Sequence, residues 1–295
     1  MDLFLDQLAN GVSSGVIYAS VALSLVIIYR TTGLLNFAQG EMALFSACVT
    51  WWLTERGLGV WFALLISTAL SFVAGALIER LLIRPVMRTG NQLNVVIVTL
   101  GMFLGINALA ALLFIKPGLE TPKMPGLFPT DEILGIEGKT LGLALLLALQ
   151  CLVLWALLQR TKVGLALRGV ASNPDSAALV GIHPGRMLML GWGLAAALGA
   201  IAGTATASTA ANGAFDTSLM QQVLVYAFAA AALGGFDSLL GAVVGGLIVG
   251  IANSLTIQYV DALAGIELVL PFGLILAVLL VRPNGLFGRT IVERV

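Results

Sequence analysis

Nine long apolar stretches, parted by short segments that hold most of the charge, constrain this chain more than any single motif. They lie near 9–29, 34–54, 58–82, 93–115, 140–158, 188–211, 219–235, 239–257 and 267–281. A hydrocarbon layer of about 30 Å takes about 20 helical residues at about 1.5 Å each. Unpaired backbone groups are too costly in lipid for open strands or irregular lipid-facing loops, so each stretch reads as a helix. The expected fold class is all-α, a polytopic transmembrane bundle forming one domain over 1–295, with about nine spans and a range of eight to ten. The range comes from the short seventh and ninth stretches and from Gly234-Gly235, which fits a turn or a broken helix.

Composition agrees with lipid as the main solvent. A mean hydropathy of +1.02 and 10% charged residues leave too few polar side chains to cover a water-soluble surface. Zero formal net charge, with no arginine-rich stripe, excludes nucleic acid as a partner. The start, Met1-Asp2-Leu3-Phe4-Leu5-Asp6-Gln7, is acidic where a secretory signal is basic, so the first stretch is expected to be retained with the N-terminus outside.

That orientation puts Arg30, Arg80, Arg84, Arg88, Arg160, Lys162, Arg168, Arg186, Arg282, Arg289 and Arg294 inside, against Arg56, Lys116, Lys123 and Lys139 outside. Eleven of the fifteen bases then face the cytoplasm, as short cytoplasmic loops require, and an odd span number puts the C-terminus there too.

Two connections stand apart by length. The external loop 116–139 interleaves Pro117, Pro122, Pro125 and Pro129 with glycines, which predicts an irregular segment with a short surface helix or hairpin. The internal loop 159–187 contains Pro174-Asp175-Ser176-Ala177-Ala178-Leu179-Val180-Gly181. Asn173 or Ser172 suits the cap of a short helix, Pro174 its first turn and Gly181 its end. An exposed capped helix between two spans is suited to docking.

Glycines four apart, at Gly101 and Gly105, Gly199 and Gly203, Gly241 and Gly245, and Gly246 and Gly250, predict close helix contacts. Polar side chains inside the stretches must face protein or water. Asn36, Gln39 and Glu41 open the second span, where Gly33 and Gly40 would permit a break. Their readings are a structural network around Glu41 or a place on the transport path or its gate. Asn94, Thr99 and Asn107 follow in the fourth span, and Thr204, Thr206, Ser208, Thr209 and Asn212 in the sixth form the better candidate wall of a polar passage. Asn253, Ser254, Thr256 and Gln258 in the eighth read as packing groups.

No constellation for chemistry emerges. His183 is the single histidine, Asp216 and Asp237 are too far apart in topology to pair, and Cys48 and Cys151 read as buried thiols. The chain lacks the Gly-rich loop ending Gly-Lys-Ser/Thr, so ATP, if used, is bound by another polypeptide.

These features resemble the shorter permease type of branched-chain, or hydrophobic, amino-acid ATP-binding-cassette importers. The resemblance rests on Asn10-Gly11, the run Gly33-Leu34-Leu35-Asn36-Phe37-Ala38-Gln39-Gly40-Glu41-Met42, the segment Thr161 to Gly181, the run Leu233 to Gly246, and Arg282-Pro283-Asn284-Gly285-Leu286-Phe287-Gly288. Gln39 stands where many members carry histidine, which argues against proton chemistry there. The resemblance implies a multi-pass protein of the bacterial inner membrane, working with a second related permease, two cytoplasmic ATPases that bind ATP and magnesium, and an external substrate-binding protein. It implies no cofactor or metal on this chain and no catalytic residue. It assigns ATPase coupling to the segment Asn173 to Ile182, including Pro174, Asp175, Ala177, Ala178 and Gly181, with Arg168 and Arg186 flanking. Asn36, Gln39, Glu41, Asn94, Thr99, Thr204, Ser208 and Asn212 are the candidates for the pathway or its gate. A urea or short-chain amide permease is the related alternative, and an ion-coupled transporter or a membrane scaffold the alternatives from other classes.

Overall fold

The computed structural model describes residues 2–115, 120–133, 136–260, 266 and 268–288. Met1, Lys116, Pro117, Arg289 and Arg294, named above, lie outside the described residues, as do Gly118 and Gly135 of the loop 116–139.

Each predicted stretch holds a helix. They are α1 (Asp2–Thr32), α2 (Gln39–Thr54), α3 (Val60–Ile78), α5 (Gln92–Leu113), α6 (Gly138–Arg160), α9 (Pro184–Thr209), α10 (Leu219–Gly234), α11 (Leu239–Tyr259) and α12 (Val269–Val281). A π-turn, Glu79–Ile83, joins α3 to the one-turn α4 (Arg84–Met87). Two short helices, α7 (Lys162–Ser172) and α8 (Pro174–Leu179), fill the loop between α6 and α9. Among the described residues six helices are long and apolar enough to cross a membrane, counting α3 to α4 as one. The other three fall short: α2 and α10 have 16 residues and α12 has 13. The only strands among the described residues, β1 (Glu132–Ile133) and β2 (Ile136–Glu137), form a two-residue antiparallel pair in the loop between α5 and α6.

The helix α1 is the centre of the bundle, packed against α11, α9, α10 and α6. Its contact with α11 is close because glycines face each other: a Cβ at Gly250 would lie 2.3 Å from the Gly15 Cα, and one at Gly246 would lie 2.6 Å from the Ala19 Cα. Gly199 and Gly203 make the same room for α2, and Gly241 and Gly245 for α10. Around Gly101 and Gly105 nothing lies within 4 Å, so this pair fills no contact inside the described chain. Leucines coat the outer helices: Leu65, Leu104 and Leu145 are 66%, 68% and 64% exposed, a surface suited to lipid.

The start of α2 departs most from the simple hairpin of spans. Tyr29 of α1 packs at a tilt on Phe236, just past the end of α10, but Phe37 packs at a tilt on Phe228 within α10. Gly40 then lies against Leu224 and Met220, nearer the start of α10, so residues 33–38 climb back along α10 before α2 begins. Gly33, at φ 70°, makes the reversal. The second stretch is therefore extended chain followed by a short helix whose N-terminus is buried inside the bundle.

Segments distant in sequence meet at the helix ends. Met124 N–H donates to the Gly213 carbonyl and Phe215 N–H to the Pro122 carbonyl (2.9 and 3.1 Å), tying the loop between α5 and α6 to the turn after α9. Gln7 reaches Ser254 and Gln258. At other ends, Leu286 and Phe287 N–H groups donate to the carbonyls of Leu233 and Gly234 (2.8 and 3.0 Å).

Candidate functional site

The first turn of α2 carries Gln39 and Glu41, both 0% exposed, with Asn36 just before it at 1%. The Asn36 Oδ1 accepts from Ala38 N–H (3.0 Å), folding the polar turn that launches the helix. Asn36 Nδ2 donates to Gln39 Oε1 (3.1 Å), and Gln39 Nε2 donates to the Ala195 carbonyl on α9 (2.9 Å). A side chain at Gly199 would sit 2.8 Å from Gln39 Nε2, so that glycine leaves the space the amide occupies.

Glu41 faces α5 instead. Its Oε2 accepts from Asn107 Nδ2 (2.9 Å), which also donates to the Thr217 carbonyl before α10 (2.9 Å). Its Oε1 is buried without a hydrogen-bond partner, with Gln221 the nearby amide. No ion pair to Glu41 occurs among the described residues. The arrangement ties α2, α5 and α10 through one carboxyl and contains no nucleophile, base pair or metal cluster among the described residues.

The remaining pathway candidates are dispersed. Asn94 donates to Thr89 (3.1 Å) near the start of α5, about 20 Å along the helix from Asn107. Thr99 bonds the Val96 carbonyl of its own helix. Thr204 meets Thr50 of α2 (3.1 Å). Ser208, like Thr206 and Thr209, turns its hydroxyl onto a carbonyl of α9 itself, a bond that costs no neighbour. Asn212 is exposed at φ 54°, in the turn that ends α9. Serines missed by the sequence reading, Ser46, Ser67 and Ser71, line an otherwise apolar cavity of about 430 Å³ between α2, α3, α5 and α9. Ser46 and Ser71 hydroxyls are 2.7 Å apart across it. Serine in an apolar run carries no periodic signal that distinguishes a cavity wall from a packed face.

The loop between α6 and α9 is more ordered than one capped helix. Gly164, Leu167 and Val170 recur at helical spacing and are buried, which seats α7 on the bundle. Asn173 accepts from Ser176 N–H (2.8 Å) and is therefore the cap of α8, while Ser172 ends α7. Gly181 ends the turn at φ 86°. Pro174, Asp175 and Ala178 are exposed, whereas Ala177 is 5% exposed and faces the body. Beyond it Leu179 and Val180 project at 89% and 75% exposure. The sequence reading held these two only as members of the segment Asn173 to Ile182 and did not single them out. Arg168 donates to Gln159 on α6 (2.9 Å), and Arg186 is exposed on the first turn of α9.

Comparison with known proteins places this architecture. The family model described as branched-chain amino acid transport system / permease component matches residues 7–279. The high-affinity branched-chain amino acid transport system permease protein LivH of Escherichia coli K12 is 31% identical over 314 residues, covering 99% of this chain and 98% of that protein. BraD of Pseudomonas aeruginosa, a permease protein of the same description, is 30% identical over 315 residues with the same coverage. The fructose import permease protein FruF of Bifidobacterium longum is 26% identical over 249 residues, 79% of this chain and 65% of that one. No solved structure matches the chain. With a family model spanning most of its length and full-length relatives at this identity, the chain belongs to the permease-component family of branched-chain amino-acid transport systems.

Proposed function

We propose that this chain is the shorter permease of an ATP-driven importer that carries branched-chain or other neutral hydrophobic amino acids into the cytoplasm of a bacterium, from its inner membrane. A second related permease completes the membrane core, two cytoplasmic ATPases bind ATP and magnesium, and an external protein delivers the substrate. The observation that carries this reading is the capped helix α8 with its Leu179 and Val180 tip held out from the bundle. Two exposed aliphatic side chains on a fixed turn cost free energy in water and gain it in a protein groove. Movement of a docked ATPase would pass through α7 and α8 to α9. Asp175, Arg186 and Arg168 border that contact with charge.

Support for nine crossings comes from which ends meet, while the external N-terminus rests on the bias of the basic residues. Each contact among the N-terminus, external loop, turn after α9, coupling loop and C-terminal segment joins parts that this topology puts on one side. The extended run 33–38 lets α2 complete a crossing despite its length. Transport of a neutral aliphatic zwitterion suits a core with few fixed charges, where Asn36, Gln39 and Glu41 hold the broken helix. An ion-coupled carrier would direct such a break at an ion, but here the Asn36 and Gln39 amides are spent on each other and on Ala195.

The test is reconstitution in proteoliposomes with the partner subunits, measuring ATP-dependent uptake of labelled leucine and of urea. Leucine uptake that needs the ATPases supports the reading; urea uptake alone, or uptake driven by an ion gradient without ATPases, overturns it. In intact cells, Val180→Cys should be shielded from an impermeant thiol reagent, and labelling from outside would overturn the orientation.

A further inference from the structure

Glu79 is fully buried at the end of α3, a position where a carboxylate needs a strong partner. Arg84 supplies it from both faces of its fork: Nε donates to Oε1 (3.0 Å) and Nη2 to Oε2 (2.5 Å). The same Nη2 donates to the Gly185 carbonyl (2.5 Å), in the first turn of α9 just beyond the coupling loop. A side chain at Gly185 would meet the guanidinium carbon at 3.0 Å, so the glycine is what lets Arg84 lie against this backbone.

The local helix geometry is built around the pair. Positions five apart on an α-helix point about 140° from each other and cannot share an ion pair. Here Arg84 N–H donates to the Glu79 carbonyl, the i to i−5 bond of a π-turn, which stacks residue 84 over residue 79. Pro85 follows at once; its ring would crowd the Leu81 carbonyl in a regular helix, and the wider turn relieves this. Backbone and side chain of Arg84 therefore both close on Glu79, and the second hydrogen of Nη2 holds α9.

We infer that Glu79 and Arg84 are positioning residues for energy coupling, forming a clamp through Gly185 that makes the inner end of α3 move with the coupling loop. Helix α3 packs along α9 and carries Ser67 and Ser71 of the cavity wall. A displacement of the coupling loop is thus handed to two helices, not one. This rests on the coupling-loop reading above. Without the clamp, α9 can tilt while α3 lags, and ATP hydrolysis proceeds with little transport.

The experiment uses the full complex in proteoliposomes and reads leucine imported per ATP hydrolysed. Wild-type chain is measured first: if it shows no ATP-driven uptake, the proposed function fails and the clamp with it. If wild-type couples, two variants test the clamp alone. Glu79→Gln/Arg84→Gln removes both charges of the pair together, and Arg84→Lys keeps a charge but loses the two-toothed grip. The expected result is assembly and ATPase rate within twofold of wild-type, with the import ratio down at least fivefold in both. A ratio unchanged in either variant that assembles overturns the inference. Failure of both to assemble also overturns it, since the pair would then serve folding only. Spin labels at Leu82→Cys and His183→Cys supply the second readout: their separation should stay constant through the ATP cycle in the otherwise wild-type chain and vary in the double variant.

Discussion

Asn107 gives both hydrogens of its side-chain amide away inside the bundle, one to Glu41 Oε2 and one to the Thr217 carbonyl, each at 2.9 Å. One side chain of α5 thereby fixes the start of α2 and the approach to α10. Asn107→Ala leaves both carboxyl oxygens of Glu41 without a strong donor, and the expected loss is about 1–3 kcal/mol. Glu41→Gln keeps an acceptor for Asn107 and removes the charge, so it should be at least as stable as wild-type. Thermal unfolding of the detergent-purified chain checks the order; an Asn107→Ala protein as stable as Glu41→Gln would refute the role given to this bond.

The glycine pairs divide into two kinds, and substitution should separate them. Gly250→Leu drives a side chain into Gly15, where backbone lies 2.3 Å from the Cβ position, and should cost about 3 kcal/mol or more. Gly101→Leu meets nothing within 4 Å in this chain and should change stability by about 0.5 kcal/mol at most. The yield of monodisperse protein after heating reads both. Loss of folded chain in Gly101→Leu would mean that α5 has a neighbour the description lacks.

Long apolar stretches were legible in the sequence because backbone satisfaction in lipid leaves only helices, and nine of them stand where the hydropathy puts them. The extended run before α2 was half legible: Gly33 marked a break, but nothing in the composition of 34–38 says that it climbs back along α10. Glu41 and Asn107 were visible as intramembrane polar groups, yet their pairing joins positions 66 apart and depends on how α2 and α5 cross. Arg84 read only as one of the inner-side bases, and Glu79, inside the stretch 58–82, was not singled out. Their π-turn has no signature beyond Pro85, since the five-residue spacing is wrong for a regular helix.

Within the coupling loop, neighbours should behave in opposite ways. Leu179→Asp puts charge on a side chain that is 89% exposed, so the chain should fold while ATP-driven uptake falls at least tenfold. Ala177→Asp places a carboxylate at a 5% exposed site, and the expected result is loss of α8 itself. Circular dichroism and assembly assays on the two variants separate them. Leu179→Asp with unimpaired uptake would remove the docking role from the tip.

The cap of α8 is measurable without transport. Asn173 Oδ1 accepts from Ser176 N–H at 2.8 Å, and Asn173→Ala gives up about 1 kcal/mol. In a helix of six residues that loss has few other bonds to absorb it. Hydrogen exchange of the amides from Ser176 to Leu179 should quicken about fivefold, with α9 unchanged. Equal exchange in both proteins would show that α8 is held by its Ala177 contact and not by its cap.

The C-terminal run Arg282 to Gly288 is a strap across the end of α10. Leu286 and Phe287 N–H groups satisfy the Leu233 and Gly234 carbonyls, which a helix end otherwise leaves to solvent. Gly235 at φ 100° and Gly285 at φ 76° make the crossing, and a Cβ on Gly285 would lie 2.5 Å from the Gly235 nitrogen. Phe287 then enters the wall of a cavity it shares with Arg30, Gln159, Arg168 and Asp237, so the strap borders the base of the coupling loop. Gly285→Ala should lower stability by about 1–2 kcal/mol from backbone strain alone, and by more once the Cβ contact is counted. Truncation after Val281 removes the strap without strain and should cost less. If Gly285→Ala melts at a lower temperature than the truncated chain, a strap forced into the wrong path is worse than none, and α10 holds its own end; the reverse order would make the strap's hydrogen bonds the larger contribution.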